Sequence, residues 1–397
     1  MKPSVLLTDG EQRSTLAVVR SLGRSGYRVY VCSRNGRSLA GASRYAVADA
    51  SVVSPLVDPR GFAQALRELI DRLDIEILLP MSEESFNAVF SNAELFRDVG
   101  IPAADAAQFR EISDKQKVME VAASCGLSVP SQVVVATPEE GQQLPLEDLP
   151  FPLVVKPARS VVTNGSGQYK RGAIHCSNVT ELRTALSGFP AATYPLLLQQ
   201  RVVGPGVGVF MLLWDDQLIA SFAHRRLREK PPAGGVSVYR ESIAVDDDLL
   251  ARSRALLTRF GWRGVAMIEY KLDSRTGVPF IMEINGRFWG SLQLAIDAGV
   301  DFPSLLLACA RGESVRAPKR YKIGVRSRWE WGGVDYLWAR LSRSDRELAL
   351  APRDSGKRMQ AILQALIPWK PGDRLEVLRL SDPNPFLRET REYFRQV

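Results

Sequence analysis

Histidine and cysteine are scarce in this sequence of 397 residues, with two of the former, His175 and His224, and four of the latter. Cys32, Cys125, Cys176 and Cys309 lie far apart with no C-x-x-C spacing, so neither a zinc site nor a disulfide framework is expected. Two histidines and no G-x-S-x-G elbow disfavour a Ser-His-Asp hydrolase. No apolar run reaches the roughly 18 residues of a membrane span, and Met1-Lys2-Pro3-Ser4 opens no signal-peptide h-region. A cytoplasmic location is the expectation. The first turn, TDGEQR, lacks G-x-G-x-x-G, so dinucleotide binding has no support, and no internal repeat or low-complexity tract is present.

What is there is the composition of an ordinary globular protein, 45% hydrophobic and 24% charged, long enough for two to four domains. The net charge of +8 is uneven: residues 317–397 carry 17 Lys/Arg against 10 Asp/Glu, and the rest is almost neutral. A nucleic-acid enzyme would spread basic residues along a groove, so the charge belongs to a C-terminal extension and no nucleic-acid partner is expected.

SVLLTD (4–9) reads as a buried parallel strand, 14–25 as an amphipathic helix ended near Gly26, and YRVYVCS as the next strand. A helix over 62–73 and the strand IEILLP continue the alternation of a doubly wound parallel sheet of about 105 residues. From Ser113 the pattern changes. SDKQKVMEVAASCG reads as a capped helix, SQVVVAT as a strand, 138–150 as an acidic Pro-containing loop, and FPLVVKP as a strand. LLLQQRVV, VGVFMLLWDD and DQLIASFAHRRL are further strands, 248–260 a helix, and GVAMIEYKLD with PFIMEING a hairpin around SRTG.

That hairpin carries the chemistry. If Asp273 pairs with Pro279, strand alternation sets Glu269 opposite Glu283, with Asn285 on the same face. Facing carboxylates repel, and the pair makes sense around divalent cations, because Mg²⁺ takes hard oxygen ligands from one or two carboxylates plus phosphates. Surface acids bonded to Arg287 would show the same pattern. Lys156 ends an apolar strand where a buried charge needs an anion. The stretch PARSVVTNGSGQYKRGA after it, with Gly165, Gly167 and Gly172, has the composition of a flexible lid whose N–H groups wrap a phosphate, or else of a solvated loop beside a snorkelling lysine. His224 is expected to be structural, and Trp329, Trp331, Tyr336 and Trp338 to be core.

Taken in order, SDK (113–115), VVKP with Lys156, LLLQQRVVGPG, HRRLREKPPAGG, and IEYKLD followed by MEINGRFWGS resemble the ATP-grasp superfamily of carboxylate–amine ligases, of the carbamoyl-phosphate-synthase-like kind. The resemblance implies an N-terminal Rossmann-like α/β domain (1–112), a central ATP-grasp lobe with a Gly-rich lid (113–198), a C-terminal ATP-grasp lobe with the metal site (199–316) and a basic Trp-rich extension (317–397). It implies ATP with two Mg²⁺ ions, or Mn²⁺, held by Glu269, Glu283 and Asn285. Lys156 would contact the α- and β-phosphates, Lys115 would be the other nucleotide-binding lysine, and Gln199, Gln200 and Val202 would bind the adenine. One of Arg225 and Arg226 would reach the γ-phosphate and Arg287 a substrate carboxylate or acyl-phosphate. The hinge has Gln199 where the superfamily often has Glu, and GPGVG lacks its ribose-binding acid.

The reaction so implied joins a carboxylate to an amine through an acyl-phosphate, releasing ADP and phosphate. A kinase-like or carboxylase-like member, or a nucleotide-binding regulatory or scaffold protein without turnover, is the alternative. Small-molecule acid and amine substrates are the expected partners, with a homodimer compatible. In the extension, Arg340, Arg343, Arg346, Arg353, Lys357 and Arg358 beside MQAILQALIPW suit a helical appendage with a basic face, either simply solvated or turned to an anionic partner or membrane surface.

Overall fold

A computed structural model describes residues 2–164, 167–232, 234–316, 318, 320–348, 350, 356–366 and 372–396. The expected strand and helix alternation opens it: β1 (Ser4–Leu7), α1 (Arg13–Arg24), β2 (Arg28–Ser33), β3 (Ala46–Ser51), α2 (Pro59–Leu73), β4 (Ile77–Leu79) and α3 (Glu83–Phe90). The four strands are parallel in the order β3-β2-β1-β4. Strand β3, AVADAS, escapes the sequence reading because it is an edge strand with most side chains half-buried or exposed, and so shows no apolar run.

Helices α4 (Ala106–Ser113) and α5 (Lys115–Ser124) lead into an antiparallel sheet. Asp114 caps α5, its carboxylate accepting from the Gln116 and Lys117 amides. The sheet runs β5-β10-β6-β9, from β5 (Gln132–Val135), β6 (Leu153–Pro157), β9 (Ile174–Cys176) and β10 (Leu196–Gln200), with α7 (Val179–Ser187) against one face. Two expectations need correction here. The loop 138–150 holds the helix α6 (Pro138–Gln143), started by Thr137 as cap and Pro138 at its first position, and a 3₁₀ turn at Leu146–Asp148. The glycine-rich stretch is a hairpin, β7 (Val161–Asn164) paired with β8 (Gly167–Lys170), rather than a loose loop; Gly165 lies outside the described residues.

The third lobe is a seven-stranded sheet in the order β15-β14-β11-β12-β13-β16-β17. Its strands are β11 (Gly206–Trp214), β12 (Gln217–Lys230), β13 (Val236–Ile243), β14 (Gly264–Leu272), β15 (Pro279–Asn285), β16 (Arg326–Arg328) and β17 (Asp373–Leu375). The helices of this part are α8 (Asp247–Arg259), α9 (Leu292–Ala298), α10 (Phe302–Ala310), α11 (Glu330–Ser342), α12 (Arg358–Leu366) and α13 (Asn384–Gln396). Side chains of β11 alternate between two cores. Phe210 and Leu212 pack with α9, α10, α1 and the parallel sheet, whereas Val209, Met211 and Leu213 pack with α5 and α8. One apolar core therefore fuses the N-terminal domain to the large sheet. Among the described residues no single helix is long and apolar enough to cross a membrane.

The described residues beyond 317 are part of this fold, not an appendage to it. Strand β16 pairs with β13 and β17 with β16. Arg20 of α1, 2% exposed, donates to the fully buried Asp382, which also accepts from Ser43 and the Arg44 amide. Glu376 takes both Arg13 and Arg240. Trp331 stacks on Tyr393 at 4.3 Å, and Trp329 Nε1 donates to Glu389, so these two tryptophans are packed against the fold but half-buried, short of the core expected of them. Trp338 is not core: it is 69% exposed, with Val334 and Leu341 along the same helix face. Arg340 is buried against Asp345 instead of forming part of a basic face, and Arg353 and Trp369 lie outside the described residues.

Candidate active site

The hairpin β14–β15 sets two carboxylates face to face, by a route the sequence does not show. At the turn Leu272, not Asp273, pairs with Pro279, because Asp273 is used to accept the Arg275 and Thr276 amides. A one-residue bulge between Glu269 and Tyr270 then restores the register, so Glu269 stands opposite Glu283 and Met267 opposite Asn285. Asn285 donates to Glu283 at 3.0 Å and accepts from Arg287 at 3.1 Å.

Cations surround the pair. Arg226 bonds Glu269 and, at 2.9 Å, Glu229, whose other oxygen takes Lys271 at 2.9 Å. To reach Glu269 it crosses β11 at Gly206, where a Cβ would stand 2.7 Å from Arg226 Cδ; the missing side chain is the passage. Arg225 lies on the other face, half-exposed and paired with Glu241, so of the two arginines only Arg226 belongs to the site. Lys115, at the start of α5, lies 3.7 Å from Glu283 and donates to Ser160 at 2.7 Å. Lys156 of β6 donates to the Met282 carbonyl at 3.1 Å, joining the small sheet to the hairpin.

These charges split the two acids. Burial raises the Glu269 pKa, Arg226 opposing and Glu283 reinforcing it. At Glu283 burial is outweighed by Lys115, the Asn285 hydrogen bond, Lys156 and Arg287, which hold it below the ordinary carboxylate range. Burial, then Lys115, bring Lys156 down to about 8 against the pull of Glu283 and Glu269. The donor set of two carboxylates and an amide oxygen suits Mg²⁺. Among the described residues no three His, Cys, Asp or Glu side chains come together as a metal cage.

On the small sheet Leu197 is paired with Lys156 and Gln199 with Val154, while Leu196 and Leu198 enter the core on the opposite face. Gln199 thus shares the face of Lys156, with its amide donating to Gln132 Oε1 at 2.6 Å. Gln200 ends the strand exposed, and Val202, half-buried, follows. Opposite Val154, His175 is kept neutral, its pKa lowered to about 4 by burial, then by Arg201 and Lys271. His224 is buried against Phe210, with Nε2 3.3 Å from Ser291 Oγ, the structural role expected of it.

Sequence reasoning missed Glu83, Ser160, Glu229 and His175. Glu83 is the first residue of α3; burial raises its pKa, and Lys115 and Arg287 act against that. It lines a cavity of about 620 Å³ with Asp114 and Arg159, which pair at 3.1 Å. The signal, two consecutive acids behind Ser82, is that of an ordinary helix start and does not tell which of the two faces inward. Glu229 is displaced from simple alternation with Arg226 by two register shifts where β12 pairs with β13.

A family model described as ATP-grasp in the biosynthetic pathway with Ter operon matches residues 192–331. Among solved structures the chain is similar to the L-amino acid ligase of Bacillus licheniformis, with TM-score 0.60 and 16% identity over 78% of this chain and 74% of that one. It is also similar to the biotin carboxylase–β,γ-ATP complex from Campylobacter jejuni, with TM-score 0.63 and 15% identity over 82% and 74%. For N5-carboxyaminoimidazole synthetase from Staphylococcus aureus complexed with ADP the values are 0.61 and 15%, over 82% of both chains. No curated protein matches the chain by sequence.

Proposed function

With the ATP-grasp fold as the premise, we propose that this protein is an ATP- and Mg²⁺-dependent ligase that joins a carboxylate to an amine through an acyl-phosphate. The observation that carries the reading is the convergence of Glu269, Glu283 and Asn285 with Lys115, Lys156, Arg226 and Arg287 where the small sheet and α5 meet the large sheet.

A carboxylate is a poor electrophile, so it needs a leaving group before an amine can attack. Its oxygen attacks the γ-phosphorus of ATP, the bond to the ADP oxygen breaks, and an acyl-phosphate forms. The amine nitrogen then attacks the acyl carbon, phosphate leaves with the bonding pair, and the amine proton passes to solvent. Lys115 and Lys156 hold the inner phosphates, Arg226 the transferred group, and Arg287 the carboxylate. Mg²⁺ on Glu269, Glu283 and Asn285 would neutralise charge on the β- and γ-oxygens. The first step needs no general base, in keeping with two buried or neutral histidines.

A second reading, in which bicarbonate is the carboxylate, is favoured by the likeness to biotin carboxylase. A scaffold without turnover is disfavoured by the complete set of charged residues. ADP release screened over amino acids, small acids and bicarbonate tests the choice. Release that needs both an acid and an amine supports the ligase, and release indifferent to the amine overturns it.

A further inference from the structure

We propose that the cavity at the carboxyl ends of β1, β2 and β3 holds the non-reacting part of a substrate, an apolar body with an anionic head that is a phosphate or a second carboxylate. Calling the occupant a substrate rests on the ligase reading; the anion pocket itself does not. The cavity has a volume of about 570 Å³. The carboxyl ends of an open parallel sheet are where its loops diverge and leave room for a ligand.

One wall is apolar, with Val52, Val53 and Phe62. Arg34, Arg37 and Arg395 also line the cavity, and their guanidinium groups make no hydrogen bond or ion pair among the described residues. Only main-chain atoms of the first two are engaged: the Arg34 amide donates to Glu11, and the Arg37 carbonyl accepts from Arg388 at 2.6 Å.

Most other charges around the cavity are matched. Arg388 holds Glu392 at 2.6 Å and Lys170 holds Glu84 at 3.2 Å. Asp9 sits under the hydroxyls of Thr8, Ser82 and Ser85, and burial raises its pKa. Among the described residues that line the cavity, Glu11 alone is left against three guanidiniums. A single unpaired surface arginine is commonplace, but three drawn from residues 34–37 and from α13 onto one cavity form a donor set for a multidentate anion.

The position ties this pocket to the catalytic centre. Glu83 and Glu84 are consecutive at the start of α3: Glu83 lies near Lys115 and Arg287, and Glu84 lines the pocket. The hairpin β7–β8 docks on the rim, the Gln168 amide donating to Leu56 O at 2.8 Å and its side chain to Pro55 O and Glu84 O. The same hairpin region supplies Ser160 to Lys115. A ligand here would extend toward the reacting atoms from beside the hairpin.

The test is calorimetric titration of the full chain, with its nucleotide site filled by Mg–ADP, using inorganic phosphate, phenyl phosphate and phenylsuccinate. One aryl probe should bind saturably and more tightly than inorganic phosphate, and whether it is phenyl phosphate or phenylsuccinate identifies the head. Arg37→Ala/Arg395→Ala should weaken it by about tenfold or more, the scale of losing charge-assisted bonds. The melting temperature should stay unchanged, since the guanidiniums of those arginines have no partners to lose among the described residues. Val53→Glu, which puts a negative charge on the apolar wall, should weaken it as well. No saturable binding of any probe, or undiminished binding in both variants, overturns the pocket. Failure of the parent to bind Mg–ADP, with arginine-dependent aryl binding intact, would instead overturn the nucleotide reading and leave the pocket standing.

Discussion

Asp382→Ala should be among the most destabilising single substitutions far from the active site. Asp382 is fully buried and accepts from Arg20 Nε at 2.8 Å, Ser43 Oγ at 2.8 Å and the Arg44 amide at 2.9 Å. Removing the carboxylate leaves the Arg20 guanidinium, 2% exposed, with only the carbonyls of Glu376, Val377 and residue 382. Breaking one side of a buried ion pair costs about 3–5 kcal/mol, and the stranded Ser43 and Arg44 donors add to it. The three retained carbonyls offset part, so the net loss should be about 3–4 kcal/mol. Urea unfolding followed by tryptophan fluorescence measures it, and hydrogen exchange should show residues 373–396 released first.

The converse substitution makes the reasoning refutable. Arg20→Met with Asp382→Leu removes both charges and fills their space, which is close to neutral when packing is preserved. The double variant should therefore be more stable than Asp382→Ala alone. A single variant within about 0.5 kcal/mol of the parent, the range of ordinary surface changes, or a double variant no better than the single one, would refute the view that this pair fastens the C-terminal segment to α1.

Two further predictions concern the site. Glu283→Gln should cut Mg²⁺-dependent ADP formation by about 100-fold or more, the scale of losing a pre-organised charge-stabilising group, and should lower the melting temperature without unfolding the protein, because Lys115, Lys156 and Arg287 lose the anion they hold below the ordinary carboxylate range; near-parent turnover by the folded variant would contradict the metal assignment. Lys156, with its pKa lowered to about 8, should make ADP affinity fall as pH rises above 8, up to about tenfold per unit, and Lys156→Met should abolish that dependence, both read by calorimetry. Because its folded value lies below the unfolded one, the same residue makes stability rise with pH from about 8 toward the unfolded pKa. An affinity flat from pH 7 to 9.5 would count against a phosphate role for Lys156.

The parts of this fold that could be read in the sequence are those with a strong period. VLL, YVC and ILLP are apolar runs of buried parallel strands, and the β14–β15 hairpin shows clean alternation interrupted only by its acids. The carboxylate pair was legible for the same reason, even though its turn register was off by one and a bulge made up the difference. What could not be read depends on contacts distant in the chain. Strands β16 and β17, three residues each, exist because β13 offers an edge to β16 and β16 one to β17. Glu376 and Asp382 look like surface acids until Arg20 and Arg240 are brought over them. Trp338 looked like core by its neighbours, yet its helix turns that face outward.

Arg226 links the two halves of the proposed site in a way that predicts how they fill. Its guanidinium pairs with Glu269, so one of the proposed metal ligands is already occupied by a protein cation. A metal ion arriving alone must displace that partner and face the charges of Lys115 and Lys156 close by, which is unfavourable. A nucleotide phosphate changes the balance: its negative charge draws Arg226 and the lysines to itself, and Glu269 is left with an unpaired charge for the metal. Metal and nucleotide should therefore bind cooperatively, each strengthening the other by the same factor, on the order of 5–150-fold for a typical coupling. Mn²⁺ titrations with and without ADP measure one arm, and ADP titrations with and without Mn²⁺ the other. Arg226→Gln should shrink the coupling by strengthening metal binding in the absence of nucleotide while weakening ADP. Equal Mn²⁺ affinity with and without ADP in the parent would show that Glu269 is not shared between Arg226 and the metal.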